Sequence, residues 1–370
     1  MKAEGCVLQY AKVYLICVFG LARANVAGRG FEKVLFNFEV IIIFIYKEDF
    51  FYDYVLRNSL EEINKQIIDK QNYYYTVKIP KKGGIRVLNC IKQKTPLFEL
   101  QNLLKVNFLD KIPIAENVFG FVKEQSYKDF LVPHTWENSR ERYYLRVDIK
   151  DFFGSITNDT ILEVFDYYFK TNEKSSKEMN ELLMQIISLN GCLPQGAVTS
   201  PVVSNVVFRQ LDIRIQKYCE KFDVTYSRYA DDLLFSSEKL KLHDKFFIKK
   251  INSILMSSNF KVNDKKIIKT ESEISLNGFV VGKNVRISRS KKRDLNRILF
   301  IYEDKKPKNI KDFLDLLNSN KFKNRVKVNN KYFNDKNNLL NYLNGYRSFL
   351  INWLNNNSSS IEYKKQKKVY

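Results

Sequence analysis

The stretch Ser227-Arg228-Tyr229-Ala230-Asp231-Asp232-Leu233-Leu234-Phe235 decides how this chain is to be read. Apolar residues flank an acidic pair, Val224 and Tyr226 before it and Leu233 to Phe235 after it. That is the pattern of a hairpin whose tight turn carries two adjacent carboxylates. Adjacent acids repel, and the commonest relief is a hard divalent cation that takes one or two carboxylates together with the phosphates of a substrate. A solvated Asp-Asp turn is the plain alternative. A second acidic stretch, Arg146-Val147-Asp148-Ile149-Lys150-Asp151-Phe152-Phe153, tips the balance. Asp148 ends an apolar, strand-like run, and a strand-end aspartate there would complete a three-carboxylate, two-metal site.

Composition agrees without deciding. The 370 residues suffice for a sizeable core and two or three subdomains. Lysine and arginine number 62 against 41 acids, a formal charge of +21. Such an excess points to a polyanionic partner, although Lys and Asn enrichment along the whole chain accounts for part of it. Cys6, Cys17, Cys90, Cys192 and Cys219 are odd in number and scattered, with no Cys-x-x-Cys pair. Neither a disulfide framework nor a zinc site is expected, and a reducing cytoplasm fits best. The apolar runs Val13 to Leu21 and Val34 to Tyr46 are shorter than the ~20 residues of a membrane span. They are expected to be buried parts of an N-terminal extension, with no membrane association.

Tyr229-Ala230-Asp231-Asp232, the segment from Asp148 to Phe153, and Cys192-Leu193-Pro194-Gln195-Gly196-Ala197-Val198-Thr199-Ser200-Pro201-Val202-Val203-Ser204-Asn205 come in one order along the chain. Together they resemble the catalytic palm of bacterial reverse transcriptases, most of all retron and defence-associated enzymes. The resemblance implies an α+β right-hand polymerase: an N-terminal extension over 1–60, fingers over 61–145, palm over 146–284 and a helical thumb over 285–370. It implies two Mg²⁺ ions, with Mn²⁺ as a substitute, held by Asp148, Asp231, Asp232 and the carbonyl of Ile149. Asp151 would lie near the triphosphate, and Phe153 would sit beneath the sugar as the bulky group that excludes a 2′-OH. Gln195 would contact the nucleotide sugar.

The remaining candidates lie around this centre. Tyr73 to Leu88 reads as a hairpin with a basic glycine turn, and resembles the fingers element in which Lys81 and Arg86 would hold the incoming triphosphate. Gly120 and Phe121 resemble the segment under the template. Tyr229 and Ala230 would face nucleic acid, and Gly278 in Leu276 to Val281 would let a primer backbone approach. Lys266, with Lys265 as its rival, matches the lysine that protonates departing pyrophosphate, a task suited to a positioned cationic acid. Phe130-Leu131-Val132-Pro133-His134 keeps only the histidine of an Asn-Ala-x-x-His element typical of retron enzymes, which favours a relative outside that group; His134 itself either contacts RNA or packs, and packing or a structural hydrogen bond is the expectation.

Helical spacing predicts helices at 60–71, 99–109, within 157–189 around a polar loop at 172–177, from Ser200 through Leu211, at 246–256, and in three runs of the basic C-terminal part. The expected activity is RNA-directed DNA synthesis from dNTPs on a noncoding RNA template and primer, giving a DNA product. The analogy extends to antiphage defence, with a second defence protein or a homo-oligomer as further partners. The alternatives are template-independent or protein-templated synthesis, RNA copied into RNA, or an idle RNA-binding scaffold or maturase.

Overall fold

A computed structural model describes residues 44–81, 84–136, 142–322, 327 and 330–354, but not the side chains at 80, 81, 84 and 351–354. The apolar run at 13–21, most of the run at 34–46, Cys6, Cys17, the Lys81 side chain and the basic tail at 364–368 lie outside the described residues.

The centre of the fold is an antiparallel sheet. Its middle strand, β3 (Tyr143–Lys150), has β5 (Asp232–Ser237) on one side and β6 (Lys261–Val262) and β7 (Ile268–Glu271) on the other; β4 (Thr225–Tyr229) pairs with β5. Side chains alternate across such a sheet with period two. Leu145, Val147, Leu233 and Phe235 therefore enter the main core, packed with Leu211, Ile215, Phe247 and Ile251. Tyr144 and Leu234 face the other way, onto Phe130, Leu131, Ile274 and Leu276. Arg146, Asp148 and Asp232 share that second face by the same alternation.

The helices that cover the sheet begin where the sequence provides caps. Before the centre come a helix at Leu60–Ile68 and another at Pro96–Asn107, each capped by the side chain preceding it, Ser59 and Thr95. We label these α1 and α2, the short helix Tyr127–Leu131 α3, and the helix Asn158–Asp166 α4. The polar stretch expected to be a loop is instead the start of α5 (Glu173–Ile187), because Asn172 accepts from the Ser175 amide and Glu173 sits favourably in the first turn. α6 opens at Ser200 with Pro201 in its first turn and runs to Glu220, well past Leu211. α7 covers Lys245–Met256.

Two smaller sheets flank the centre. β1 (Tyr74–Lys81) and β2 (Gly84–Ile91) form the expected basic hairpin, with Ile79 opposite Arg86. β8 (Ile274–Leu276), β9 (Phe279–Val281) and β10 (Val285–Ile287) form a meander, with Gly278 at φ +91° in the first turn. The C-terminal helices α8 (Arg289–Lys305), α9 (Ile310–Ser319) and α10 (Lys336–Leu354) enclose a core of Ile298, Ile301, Phe313, Leu317, Phe333 and Leu339. Tyr346 and Leu350 are buried, whereas Leu340 is exposed. Phe51, Val55 and Leu56 join the main core, so part of the stretch preceding residue 60 packs with the body. Among the described residues, no helix is long and apolar enough to cross a membrane.

Candidate active site

Three aspartates lie at one end of the central sheet. Asp148 of β3 and Asp232 of β5 are direct partners across the ladder. The Ile149 amide donates to the Asp231 carbonyl at 2.9 Å, which ties the turn to β3 on the other side of the same junction. Asp148 and Asp232 are nearly covered, at 3% and 8% exposure.

Each of these two acids has a cationic partner. Lys266 donates to both Asp148 oxygens, at 2.8 and 3.0 Å, and Asn263 adds a third hydrogen bond at 3.1 Å. Arg146 donates from Nε and Nη2 to one oxygen of Asp232, at 2.9 and 2.5 Å. Burial pushes Asp231 above the usual carboxylate range and Asp148 adds to the rise, while Lys266 and Arg86 pull the other way. Burial also raises Asp232, with Arg146 opposing it and the two neighbouring acids adding to it. The basic hairpin thus brings Arg86 close enough for its charge to be felt at Asp231.

Oxygen donors alone, crowded so that each raises the affinity of the next for a positive charge, suit a hard dication such as Mg²⁺. Among the described residues, no group of three or more His, Cys, Asp or Glu is gathered tightly enough to hold a metal ion as the side chains stand.

The turn that carries Asp231 is held from behind. Ala230 adopts φ +55°, a left-handed conformation costly for a residue with a Cβ. Gly120 lies against it so closely that a Cβ there would come within 2.4 Å of the Ala230 nitrogen. Asn205 of α6 donates to the Gly120 carbonyl at 2.8 Å. Tyr229 packs edge-on against Tyr127 and beside Phe130, with ring centroids 4.9 and 5.8 Å away. Gly120 and Ala230 are buried and Tyr229 is half-buried. Phe121, at φ +63° and 40% exposure, is the open member of that group.

Phe152 is core and Phe153 is half-buried, its ring 6.0 Å from Phe121 and 5.4 Å from Phe152. Asp151 is exposed at φ +47°, and Gly154 lies directly against its carboxylate. Gln195 is half-buried; the next carbonyl, of Gly196, accepts from the Ile91 amide of β2 at 3.3 Å. Gly278 lies in the separate meander, where its nearest neighbour is the Lys291 side chain. His134 is fully buried, which excludes contact with RNA. Ser227 donates its hydroxyl proton to the Phe130 carbonyl, so it accepts from His134 Nε2 at 2.7 Å, and Ser236 donates to Nδ1 at 2.8 Å.

Arg146 and Asn263 were missed from sequence. Arg146 was detectable: two residues before Asp148 on a strand, it must share a face with that acid. Nothing in the sequence marked Asn263, whose place depends on the short 3-10 turn Asp264–Lys266 that follows it.

Comparison with known proteins bears on the same residues. The family described as reverse transcriptase (RNA-dependent DNA polymerase) matches residues 79–281, a span that contains all three acids. The retron Ec86 reverse transcriptase of Escherichia coli is 30% identical over 65% of this chain and 73% of its own length. The retron Mx65 reverse transcriptase of Myxococcus xanthus is 32% identical over 46% of this chain and 42% of its own length. For the retron Ec73 reverse transcriptase of Escherichia coli the figures are 32%, 50% and 60%. The chain thus spans less than two thirds of the latter two.

Proposed function

The chain belongs to the reverse transcriptase (RNA-dependent DNA polymerase) family, and from that premise we propose that it extends a primer with dNTPs on a dedicated noncoding RNA. The observation that carries the reading is the placement of Asp148 directly across the sheet from Asp232, with Asp231 beside them. Asp148, Asp231, Asp232 and the Ile149 carbonyl would hold the divalent ions. When bound, such ions supply Lewis acidity at the attacking 3′-oxygen and at the departing pyrophosphate.

The remaining roles belong to side chains of this chain. Arg86, with Lys81, would fix the triphosphate, for which a planar guanidinium is well suited. Phe153 would lie under the sugar and clash with a 2′-OH, and Gln195 would contact that sugar from the opposite loop. Lys266 would leave Asp148 as the ions enter and give its Nζ proton to the leaving pyrophosphate. Exposed Phe121 would contact the template. The charge of +21 supports binding to a long polyanion, and the retron reverse transcriptase names of the relatives support a retron-type enzyme; a dedicated RNA, a cytoplasmic setting and a part in phage defence are carried by analogy.

Purified protein, an RNA template with an annealed primer, dNTPs and Mg²⁺ provide the test. Labelled DNA product that disappears on Asp148→Asn is expected. An absence of extension on any RNA, including RNA that copurifies with the protein, would overturn the reading.

A further inference from the structure

We propose that the fully buried Arg228–Asp212 pair is a clamp on the Ala230 turn, which makes Arg228 a positioning residue for the Asp231–Asp232 carboxylates. Arg228 lies on β4, two residues before Ala230, and Asp212 on α6 behind the sheet. The guanidinium meets the carboxylate fork to fork, Nε to Oδ1 at 2.8 Å and Nη2 to Oδ2 at 2.7 Å. Its third nitrogen, Nη1, donates to the Ala230 carbonyl at 3.2 Å. Tyr226 donates its hydroxyl to Asp212 at 2.8 Å, and the Phe208 ring lies 4.6 Å from the guanidinium carbon. Both charged side chains are 0% exposed.

Stability alone is a poor reason for such an arrangement. A buried ion pair rarely stabilises a fold more than apolar residues of the same shape, because desolvation cancels most of its attraction. What this pair supplies and an apolar pair does not is a fixed donor aimed at the turn. Ala230 is left-handed and carries a Cβ, a conformation that persists only when its surroundings impose it. The backbone on either side is already tied, the Arg228 amide to Asn117 O at 2.8 Å before the turn and the Ile149 amide to Asp231 O at 2.9 Å after it. Gly120 closes the turn from behind. The Arg228 guanidinium is the side-chain donor that reaches the Ala230 carbonyl, and it is aligned by Asp212. A lysine could satisfy one of these partners but not both, since it has no planar fork.

The inference rests on the polymerase reading for its metal-binding and kinetic readouts. Two variants are compared with the full-length protein: Arg228→Lys, and the triple variant Tyr226→Phe, Arg228→Met, Asp212→Leu, which replaces the polar cluster by apolar groups of similar size. Mn²⁺ binding is measured by calorimetry, folding by thermal melting without metal, and turnover by primer extension. Both variants are expected to bind Mn²⁺ about tenfold more weakly, the cost of one unsupported left-handed residue. Turnover falls at least as much, KM for dNTP holds, and the melting temperature of the triple variant stays near that of the parent. Adding Ala230→Gly restores most of the Mn²⁺ affinity, since glycine adopts this φ without help. Affinities within about twofold of the parent, or losses that Ala230→Gly does not ease, overturn the proposal. If the triple variant does not fold, Arg228→Lys decides by the same measure. Should the parent protein extend no primer, the polymerase reading fails while the Mn²⁺ affinities still judge the clamp.

Discussion

A Cβ placed on Gly120 would stand 2.4 Å from the backbone nitrogen of Ala230, closer than any real side chain tolerates. The obstacle is main chain, so neither partner can yield by a rotamer change, and the turn bearing Asp231 must move instead. Gly120→Ala is therefore expected to destabilise the protein by about 1–3 kcal/mol, as overpacking does. It should also cut turnover at least a hundredfold, since misplacing catalytic groups by about 1 Å is that costly. Melting curves and primer-extension rates check both, and a variant with parental turnover would show that the turn has room to spare.

Asp231 and Asp232 stand in a setting that disfavours their charge, through burial first and, against the opposing cations, through Asp148 for both and Asp231 for Asp232. A folded-state pKa raised above the unfolded value means that ionisation costs stability above the unfolded pKa, and that the cost is relieved as pH falls. Asp231→Asn removes that cost. The variant is expected to lose all DNA synthesis and yet melt about 2 °C higher than the parent at pH 7 without divalent ions. Added Mg²⁺ should then raise the melting temperature of the parent and leave that of Asp231→Asn almost unmoved. A variant less stable than the parent in metal-free buffer would contradict the strain ascribed to the acidic cluster.

His134 works in the opposite sense. Burial, with Arg142 nearby, pushes it down to about 3 from an ordinary 6.5. The folded protein keeps the ring neutral while the unfolded chain protonates it below pH 6.5, so stability is full above that value and is lost as pH falls toward 3. Between pH 6.5 and 5 the loss approaches about 1.4 kcal/mol per pH unit for this single group. Denaturant titrations of the parent and of His134→Gln should diverge across that interval. Parallel curves would mean that the ring is protonated in the fold, despite its two serine partners.

The hairpin around Asp231, the capped helices and the strand carrying Asp148 were legible because each rests on a local pattern: alternation, a cap, a turn. Asn172 shows where local reading fails. A polar run of Asn, Glu, Lys and Ser looks like a loop until its first residue is recognised as a cap and the burial of Met179 and Leu183 shows which face the helix turns inward. The partners of the acids were hidden for a different reason. Asn263 reaches Asp148 across a sequence separation that no periodicity encodes, and although alternation puts Arg146 on the face of Asp148, its pairing with Asp232 follows only once β3 and β5 are assembled. Gly120 was noted in the sequence, yet the reason for its lacking a side chain, the Ala230 backbone, is a tertiary fact.

Phe153 offers a test that separates substrate choice from catalysis. Its ring is half-buried between Phe121 and Phe152, supported on both sides and therefore rigid. Rigidity is what allows a clash to discriminate. Phe153→Ala is expected to admit ribonucleotides, with discrimination against rNTPs falling at least about a hundredfold, roughly 2.7 kcal/mol, while dNTP turnover drops far less. Competition assays with paired dNTP and rNTP report the ratio directly. Unchanged discrimination would remove Phe153 from the sugar pocket.

Lys266 presents two competing demands. It pairs with both Asp148 oxygens, so in the absence of metal it occupies the charge that a dication would seek, yet it is 53% exposed at the side chain and free to swing outward. As a competitor, its removal should tighten Mn²⁺ binding, because Asp148 is left without its cation. As the acid that serves the leaving pyrophosphate, its removal should slow turnover by about 10²–10⁴-fold, the usual worth of a positioned proton donor. Lys266→Met is therefore expected to bind Mn²⁺ more tightly and to work more slowly, two effects of opposite sign from one substitution. A purely structural salt bridge would lower both together, through loss of the Asp148 position. Calorimetric affinity set against single-turnover rate distinguishes these outcomes, and a fall in both would leave Lys266 as a brace for β3 with the pyrophosphate protonated from solvent.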